Sequence, residues 1–234
     1  SSCYFICFFF LTMGPYLSQP DKKKYSRDGA NAKFRYGASE MQGWRTGMED
    51  AHITEVDFDT DTAFFGVFDG HGGSEVAEFV ERHLCSVIRE LDSYKNNELG
   101  KSMSEGFLKI DELLQTPNGI EEIKTLKAQS KEKEEGNKLA FLLSTPDYDE
   151  QGNYRINAGC TANAAFIRGT DLVVANAGDT RSVLCRAGRA VEMSKDHKPD
   201  NPEESARIAK AGGEVLDGRV NGNLNLSRSL GDLE

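Results

Sequence analysis

The sequence predicts an α+β protein in which two groups of strands are separated by helices. Residues 63–68 form an unbroken apolar run, which is typical of a strand buried on both faces. Residues 74–91 and 98–114 then place apolar residues at helical spacing. From residue 159 onward, short strands alternate with glycine turns, as in antiparallel hairpins. Because strands and helices are grouped rather than alternating, an α+β fold is favoured over a parallel sheet.

The first 33 residues are interpreted as an N-terminal extension. Residues 13–33 are polar and lysine-rich and predict an arm that leads into a first strand at residues 35–41. Met13 is expected to be the true start, with residues 1–12 as upstream sequence. Their roughly ten apolar residues are too few for a bilayer span of about twenty, and no basic segment precedes them. Membrane association would require acylation of Gly14, against which Pro15 argues.

Residues 34–234 are predicted to form one domain with a charged insertion at about residues 117–157, interpreted as solvated. Ser74 is expected to cap the first helix and Asn201 a later helix that begins at Pro202. An Asn-Gly hairpin is expected at residues 219–224. The strands of the second group are predicted at residues 162–167, 172–177, 182–185 and 190–193.

Composition limits the possible functions. The chain has 234 residues and a net charge of −10, with no basic stripe that could follow a phosphate backbone, so a nucleic-acid partner is not expected. Its five cysteines are odd in number and form no CxxC pair, which argues against a disulfide framework or a zinc site. A reducing compartment is therefore expected, the cytoplasm in the first place, with the nucleus left open.

The most informative feature is the turn that follows the apolar run, Asp69-Gly70-His71-Gly72-Gly73. A buried strand fixes the carboxylate of Asp69, and the glycines leave backbone carbonyls accessible to a ligand. Glu49 precedes Asp69 by twenty positions (69 − 49), a separation that an antiparallel strand pair would close. Together with Asp50, these oxygen donors suit Mg²⁺ or Mn²⁺.

Six motifs extend this pattern along residues 36–232. They are GWRTGMEDAH at 43–52, FFGVFDGHGG at 64–73, GCTA at 159–162, NAGDTR at 176–181, DHKP at 196–199, and RVNG with SRSLGD at 219–232. In this order the motifs resemble those of the metal-dependent protein phosphatases of the PPM, or type 2C, family. The resemblance implies a four-layer αββα sandwich of two antiparallel sheets flanked by helices.

The resemblance also implies residue roles in hydrolysing phosphoserine and phosphothreonine in proteins. Asp69 would bridge two Mn²⁺ or Mg²⁺ ions, Gly70 would offer its carbonyl, and Glu49 would bind the second ion. Asp50 would orient the attacking water, and Arg45 would grip the phosphate. His71 would protonate the leaving oxygen as general acid. Asp179 would bind a more weakly held third metal.

Each assignment has a structural alternative. Asp69 could simply cap the following helix, Arg45 could form a surface ion pair, and Asp179 could serve an ordinary hairpin turn. His197 is interpreted as structural, holding the loop before Pro199. The cysteines lack a Cys-x5-Arg loop, which argues against a cysteine-dependent phosphatase.

The chain departs from the family pattern at its C-terminus, since it ends just after SRSLGD. The strands that would follow, with two further aspartate ligands, are missing, so the domain is expected to be incomplete. Residues 1–234 alone are then expected to have low or no activity, and the full-length protein is expected to be a monomer acting on phosphoproteins. The alternatives are a naturally short, non-catalytic relative that binds phosphoproteins, and a damaged gene model.

Overall fold

The computed structural model describes residues 16–133 and 148–233. The expectations for residues 1–12 and Gly14, and part of the charged insertion, lie outside these ranges. The described chain forms two compact units, a smaller one of residues 16–29 and 37–48 and a larger one of residues 30–36 and 49–233. No helix within the described ranges has the length and apolar character needed to cross a membrane.

Fifteen strands and five helices are described. The strands are β1 (Tyr16–Asp21), β2 (Tyr25–Ala30), β3 (Arg35–Glu40), β4 (Gly43–Arg45), β5 (Ala51–Glu55), β6 (Thr62–Phe68), β7 (Gly70–His71), β8 (Gly159–Cys160), β9 (Ala162–Arg168), β10 (Asp171–Ala177), β11 (Val183–Arg186), β12 (Arg189–Glu192), β13 (Val215–Leu216), β14 (Arg219–Val220) and β15 (Leu230–Gly231). The helices are α1 (Glu75–Glu90), α2 (Asp92–Lys95), α3 (Leu99–Leu114), α4 (Pro117–Lys133) and α5 (Pro202–Lys210).

The smaller unit contains β1 paired with β4 and most of β2 and β3, which pair with each other. The prediction of an arm at residues 13–33 is therefore wrong from residue 16 onward, since β1 and β2 lie in that range. Their polar residues are compatible with strands because most of them are exposed. The strand expected at residues 35–41 is confirmed as β3.

The larger unit is built on an antiparallel sheet with the strand order β10-β9-β6-β5. Phe64 of β6 and Phe166 of β9 are fully buried, with ring centroids 4.9 Å apart. Residues from α1 and α3 belong to the same core, as their apolar spacing predicted. Burial of β6 on both faces was expected, but Val67 is 45% exposed, so the prediction is wrong at this position.

Ser74 and Asn201 occupy the predicted N-cap positions of α1 and α5, but neither side chain makes a capping hydrogen bond. Ser74 makes no capping bond to the α1 backbone, and its hydroxyl donates instead to Glu78 Oε1 at 2.9 Å. Asn201 likewise makes no side-chain cap on α5, and its amide Nδ2 donates to the Asp196 carbonyl at 2.7 Å. The helices themselves begin within a residue or so of the predicted positions.

The charged insertion expected at residues 117–157 is wrong for its first part. Residues 117–133 form α4, and Ile123 and Leu126 on this helix are fully buried in the main core. Two buried apolar residues three positions apart are enough to fix one face of a helix whose other positions are polar. Residues 117–130 therefore belong to the packed domain.

The C-terminal part contains two small hairpins, β11 with β12 and β13 with β14. Its last strand, β15, joins β8 and β7 in a three-stranded sheet with the order β15-β8-β7. The Asn-Gly hairpin expected at residues 219–224 has only one isolated bridge, between Val220 and Leu224. The paired strands β13 and β14 turn instead at Asp217 and Gly218, both of which have positive φ.

Candidate active site

The turn at residues 69–73 lies where β6 ends and the two-residue strand β7 begins. Thr161 fixes the backbone of Asp69 from both sides. The Asp69 N–H donates to Thr161 Oγ1 at 3.0 Å, and the Thr161 N–H donates to the Asp69 carbonyl at 2.9 Å. Because Thr161 is 1% exposed, these bonds are shielded from water and hold the carboxylate-bearing residue firmly.

Glu49 and Gly70 lie against each other, as the twenty-residue spacing of Glu49 and Asp69 predicted for neighbouring antiparallel strands. β5 pairs with β6 with Ala51 opposite Phe68, so the two chains run side by side up to the turn. A Cβ atom added at Gly70 would lie 2.3 Å from the Glu49 carbonyl oxygen and 3.1 Å from the Glu49 Cβ. Only glycine permits this approach, which brings the Gly70 backbone beside a carboxylate-bearing residue.

His71 forms an ion-pair contact with Asp232. The imidazole Nε2 lies 2.8 Å from Asp232 Oδ2 and 3.0 Å from Oδ1. Burial alone would lower the pKa of His71, but the hydrogen bond to Asp232 and the charges of Asp232, Glu49 and Asp69 outweigh it and raise the pKa. The carboxylates of Glu49 and Asp69 are thus close enough to influence the ring.

Donor chemistry at this turn matches a hard divalent cation, since Glu49, Asp69 and the Gly70 carbonyl all present oxygen. Within residues 16–133 and 148–233, however, no group of three His, Cys, Asp or Glu side chains converges closely enough to hold a metal ion. The residues present agree with a metal site in two respects, namely their oxygen ligands and the proximity of Glu49 to Gly70. Asp50 precedes β5 directly and is exposed.

Asp179 follows Gly178 in the turn after β10, where its carboxylate accepts a hydrogen bond from Lys198. His197 holds this turn, because its backbone N–H donates to the Gly178 carbonyl at 2.9 Å and its Nδ1 accepts from the Gly178 N–H at 3.2 Å. These contacts agree with the structural role expected for His197. A hydrogen bond of 2.6 Å between the hydroxyls of Thr161 and Thr180 links this turn to Asp69.

Arg45 belongs to the smaller unit, where its guanidinium carbon lies 5.7 Å from the centroid of the Tyr16 ring. Its predicted contact with phosphate stays a prediction, as do the roles of Asp50 and Asp179.

Cys160 on β8 lies directly opposite Gly70 of the turn in the antiparallel pair of β7 and β8. Burial, followed by the charges of Asp232, Asp111 and Asp69, raises its pKa well above the usual value. A nucleophilic cysteine needs the thiolate form, which this environment disfavours.

Sequence reasoning missed Thr161, Asp111 and Asp232. Two of them lie in motifs that were recognised, Thr161 in GCTA and Asp232 at the end of SRSLGD. Asp111 lies on α3 and accepts a hydrogen bond from the Gly231 N–H at 2.9 Å. In the sequence, Asp111 is one of several polar residues on an amphipathic helix, and nothing there sets it apart from the others.

Residues 34–234 match the family model of protein phosphatase 2C. The chain belongs to the protein phosphatase 2C family. It is 52% identical over 222 residues to protein phosphatase 2C 1 of Paramecium tetraurelia, with 95% of this chain and 67% of that protein covered. It is also 42% identical to the probable protein phosphatase 2C 11 of Oryza sativa subsp. japonica, covering 95% and 65%.

A solved serine-threonine phosphatase 2C from Toxoplasma gondii shares the fold of this phosphatase 2C chain with a TM-score of 0.56 at 18% identity, covering 93% of this chain and 70% of that one. A C. elegans sex determining protein gives a TM-score of 0.54 at 21% identity, with 93% and 45% covered. The chain therefore spans about two thirds of the length of the Paramecium relative and belongs to a family of protein serine/threonine phosphatases.

Proposed function

We propose that the protein to which this chain belongs hydrolyses phosphoserine and phosphothreonine in proteins, with Mn²⁺ or Mg²⁺ as cofactor. The observation that carries the proposal is the close approach of Gly70 to Glu49 beside Asp69 and His71. It brings the backbone of Gly70 next to Glu49, at the turn that also carries Asp69 and His71. Two cations, with a weaker third near Asp179, would supply Lewis acidity that activates water and offsets the charge on phosphate.

The residues of the chain have distinct roles in the proposed reaction. Glu49, Asp69 and the Gly70 carbonyl hold the cations, and Asp50 orients the attacking water. Arg45 binds two phosphate oxygens through its planar guanidinium, which a lysine could not do. His71 donates a proton to the serine or threonine oxygen as it leaves, a contribution of about 10²- to 10⁴-fold in rate.

The proposed fold of the complete domain is the αββα sandwich, supported by the similarity to the Toxoplasma gondii phosphatase. Substrates are phosphoproteins, and the acidic net charge of −10 argues against nucleic acid. Cys85, Cys160 and Cys185 are free thiols, which supports a cytoplasmic location. The protein is proposed to act as a monomer.

Hydrolysis of a phosphothreonine peptide by the natural full-length protein tests the proposal, measured with Mn²⁺ and with EDTA. Activity should require the cation and should be lost in Asp69→Asn, whereas Asp171→Asn on the exposed start of β10 should match the wild type. Activity that persists in EDTA or in Asp69→Asn would contradict the proposed cation-assisted reaction. Retention of the phosphopeptide without turnover would point to a binding protein instead.

A further inference from the structure

Three short strands bring distant parts of the chain to the histidine of the turn. In the sheet β15-β8-β7, His71 lies opposite Gly159, and Gly159 lies opposite Gly231. Asp232, which follows directly, is 161 positions from His71 in sequence. The sheet therefore places one carboxylate next to the imidazole.

The contact between these two side chains is specific. Both oxygens of Asp232 lie within 3.0 Å of His71 Nε2. An ionised carboxylate can only accept, so Nε2 carries the proton in this bond. Nδ1 is then the ring nitrogen that Asp232 does not engage.

The surrounding backbone is shaped to admit this pair. A Cβ atom added at Gly159 would lie 2.4 Å from Asp232 Oδ2 and 2.7 Å from His71 Nε2, so any side chain there would displace the contact. The Gly231 N–H donates to Asp111 Oδ1 at 2.9 Å, which ties the Asp232 segment to α3. Ser229 donates its hydroxyl hydrogen to Asp232 Oδ2 at 2.5 Å.

Asp232 also has a backbone φ of 48°. This left-handed conformation is uncommon for residues other than glycine, although aspartate tolerates it better than most. Such a conformation persists only where the surrounding contacts compensate for it. The bonds to His71 and Ser229 and the anchoring of Gly231 are those contacts.

We propose that Asp232 is a positioning residue for His71, which it holds in one ring orientation by accepting the Nε2 hydrogen. The inference rests on the proposed function, in which His71 is the general acid. In that step the oxygen of water forms a bond to phosphorus and the bond from phosphorus to the substrate oxygen breaks. The bonding pair stays on that oxygen, which takes a proton from Nδ1 of the doubly protonated His71 ring. The attacking water releases one proton to solvent, and the ring regains one from solvent.

Two substrates with different leaving groups separate this role from a structural one. A serine or threonine oxygen needs a proton in order to leave, whereas nitrophenolate leaves without one. In the full-length protein, Asp232→Ala should lower kcat for a phosphothreonine peptide by about 10- to 100-fold. It should change kcat for p-nitrophenyl phosphate by less than about threefold, with KM for both substrates nearly unchanged.

Two further variants guard against a folding defect. Asp232→Asn retains an oxygen that can accept from Nε2, so it should recover part of the lost peptide activity. In a His71→Gln background, Asp232→Ala should cause no additional loss, because a residue that acts through His71 has nothing left to position. Asp171→Ala, exposed and remote in sequence from all these residues, is the matched control.

The pairing of His71 and Asp232 can also be tested without metal and without an activity assay. The measurement is the proton–nitrogen correlation spectrum of the His71 ring in metal-free protein. The proton should reside on Nε2 in the wild type, and Asp232→Ala should change the ring signals. Equal loss of activity on both substrates, no loss on either, or a His71 spectrum that is unaltered in Asp232→Ala would overturn the inference. If the wild type hydrolysed neither substrate with Mn²⁺, the proposed function itself would fail, while the spectrum would still test the pairing.

Discussion

The hydroxyl of Thr161 connects the backbone of Asp69 to the turn that carries Asp179. It accepts from the Asp69 N–H at 3.0 Å and shares a hydrogen bond of 2.6 Å with Thr180. Since Thr161 is buried, loss of its hydroxyl would remove a hydrogen bond to the Asp69 N–H at a position shielded from water. A single hydroxyl thus couples two of the predicted metal-binding positions.

Thr161→Val tests this coupling because valine keeps the shape of threonine and removes only the hydroxyl. The free energy of unfolding, measured by urea denaturation, should fall by about 1–3 kcal/mol. Thr170→Val, at an exposed position beyond β9, should leave it nearly unchanged. Equal stabilities of the two variants would show that the hydroxyl does not hold the turn.

Glu204 on α5 is a buried carboxylate that organises the C-terminal segment. Arg228 Nη2 donates to Oε1 at 2.7 Å, and Ser227 Oγ and Arg207 Nη2 donate to Oε2 at 2.7 Å and 2.9 Å. Burial alone would raise the pKa of Glu204, but the hydrogen bonds from Arg228, Ser227 and Arg207 outweigh it and lower the pKa to about 2.

A depressed pKa means that this carboxylate stabilises the fold above its ordinary pKa, near 4.5, and that the contribution is lost as the pH falls towards 2. The shift corresponds to a contribution on the order of 3 kcal/mol at neutral pH. Glu204→Gln should therefore destabilise the protein at pH 7 and flatten the fall in stability between pH 4.5 and 2. Urea denaturation across this range measures it, with the exposed Glu203→Gln as control. An unchanged pH profile in Glu204→Gln would contradict the role assigned to this group.

At the scale of elements, α4 is the clearest difference between expectation and structure. Its charged residues suggested a solvated segment, yet Ile123 and Leu126 are fully buried and the helix packs with α1 and α3. The hydroxyls of Ser74 and Ser130 lie 2.8 Å apart, which joins α4 to the start of α1 just beyond the turn. α4 therefore supports the helix that follows the candidate site.

Leu126→Ala tests the packing of α4. Removing a fully buried leucine side chain should lower the free energy of unfolding by about 2–5 kcal/mol. The exposed Gln129→Ala on the same helix should change it by less than about 0.5 kcal/mol. Thermal or urea unfolding of both variants gives the comparison, and a Leu126→Ala protein as stable as Gln129→Ala would show that α4 is not part of the core.

Patterns of apolar and turn residues predicted most helices and strands. They did not predict contacts between residues that are far apart in the sequence. The antiparallel approach of Glu49 and Asp69 was predictable because strand periodicity and a short connection leave few alternatives. The partner of His71 was not, since Asp232 is 161 positions away and is placed by two glycine-rich strand pairings. Ser74 and Asn201 occupy the predicted N-cap positions, but their side chains bond to Glu78 and to the Asp196 carbonyl and make no capping bond.

For the whole molecule, the account depends on cation binding at Glu49 and at the turn that carries Asp69 and Gly70. The protein phosphatase 2C family and the fold are established by sequence and structural similarity, whereas occupancy of this site is the proposal. The donors are oxygen atoms from two carboxylates and one carbonyl, a set that suits Mn²⁺. Cation binding is therefore the property from which the proposed activity follows.

Direct titration of Mn²⁺ into the full-length protein, with free Mn²⁺ measured by electron paramagnetic resonance, tests this claim without relying on activity. The wild type should bind Mn²⁺, and Asp69→Asn and Glu49→Gln should each weaken binding by at least about tenfold. Asp171→Asn should bind as the wild type does. Equal Mn²⁺ affinity in the wild type, Asp69→Asn and Glu49→Gln would contradict the site.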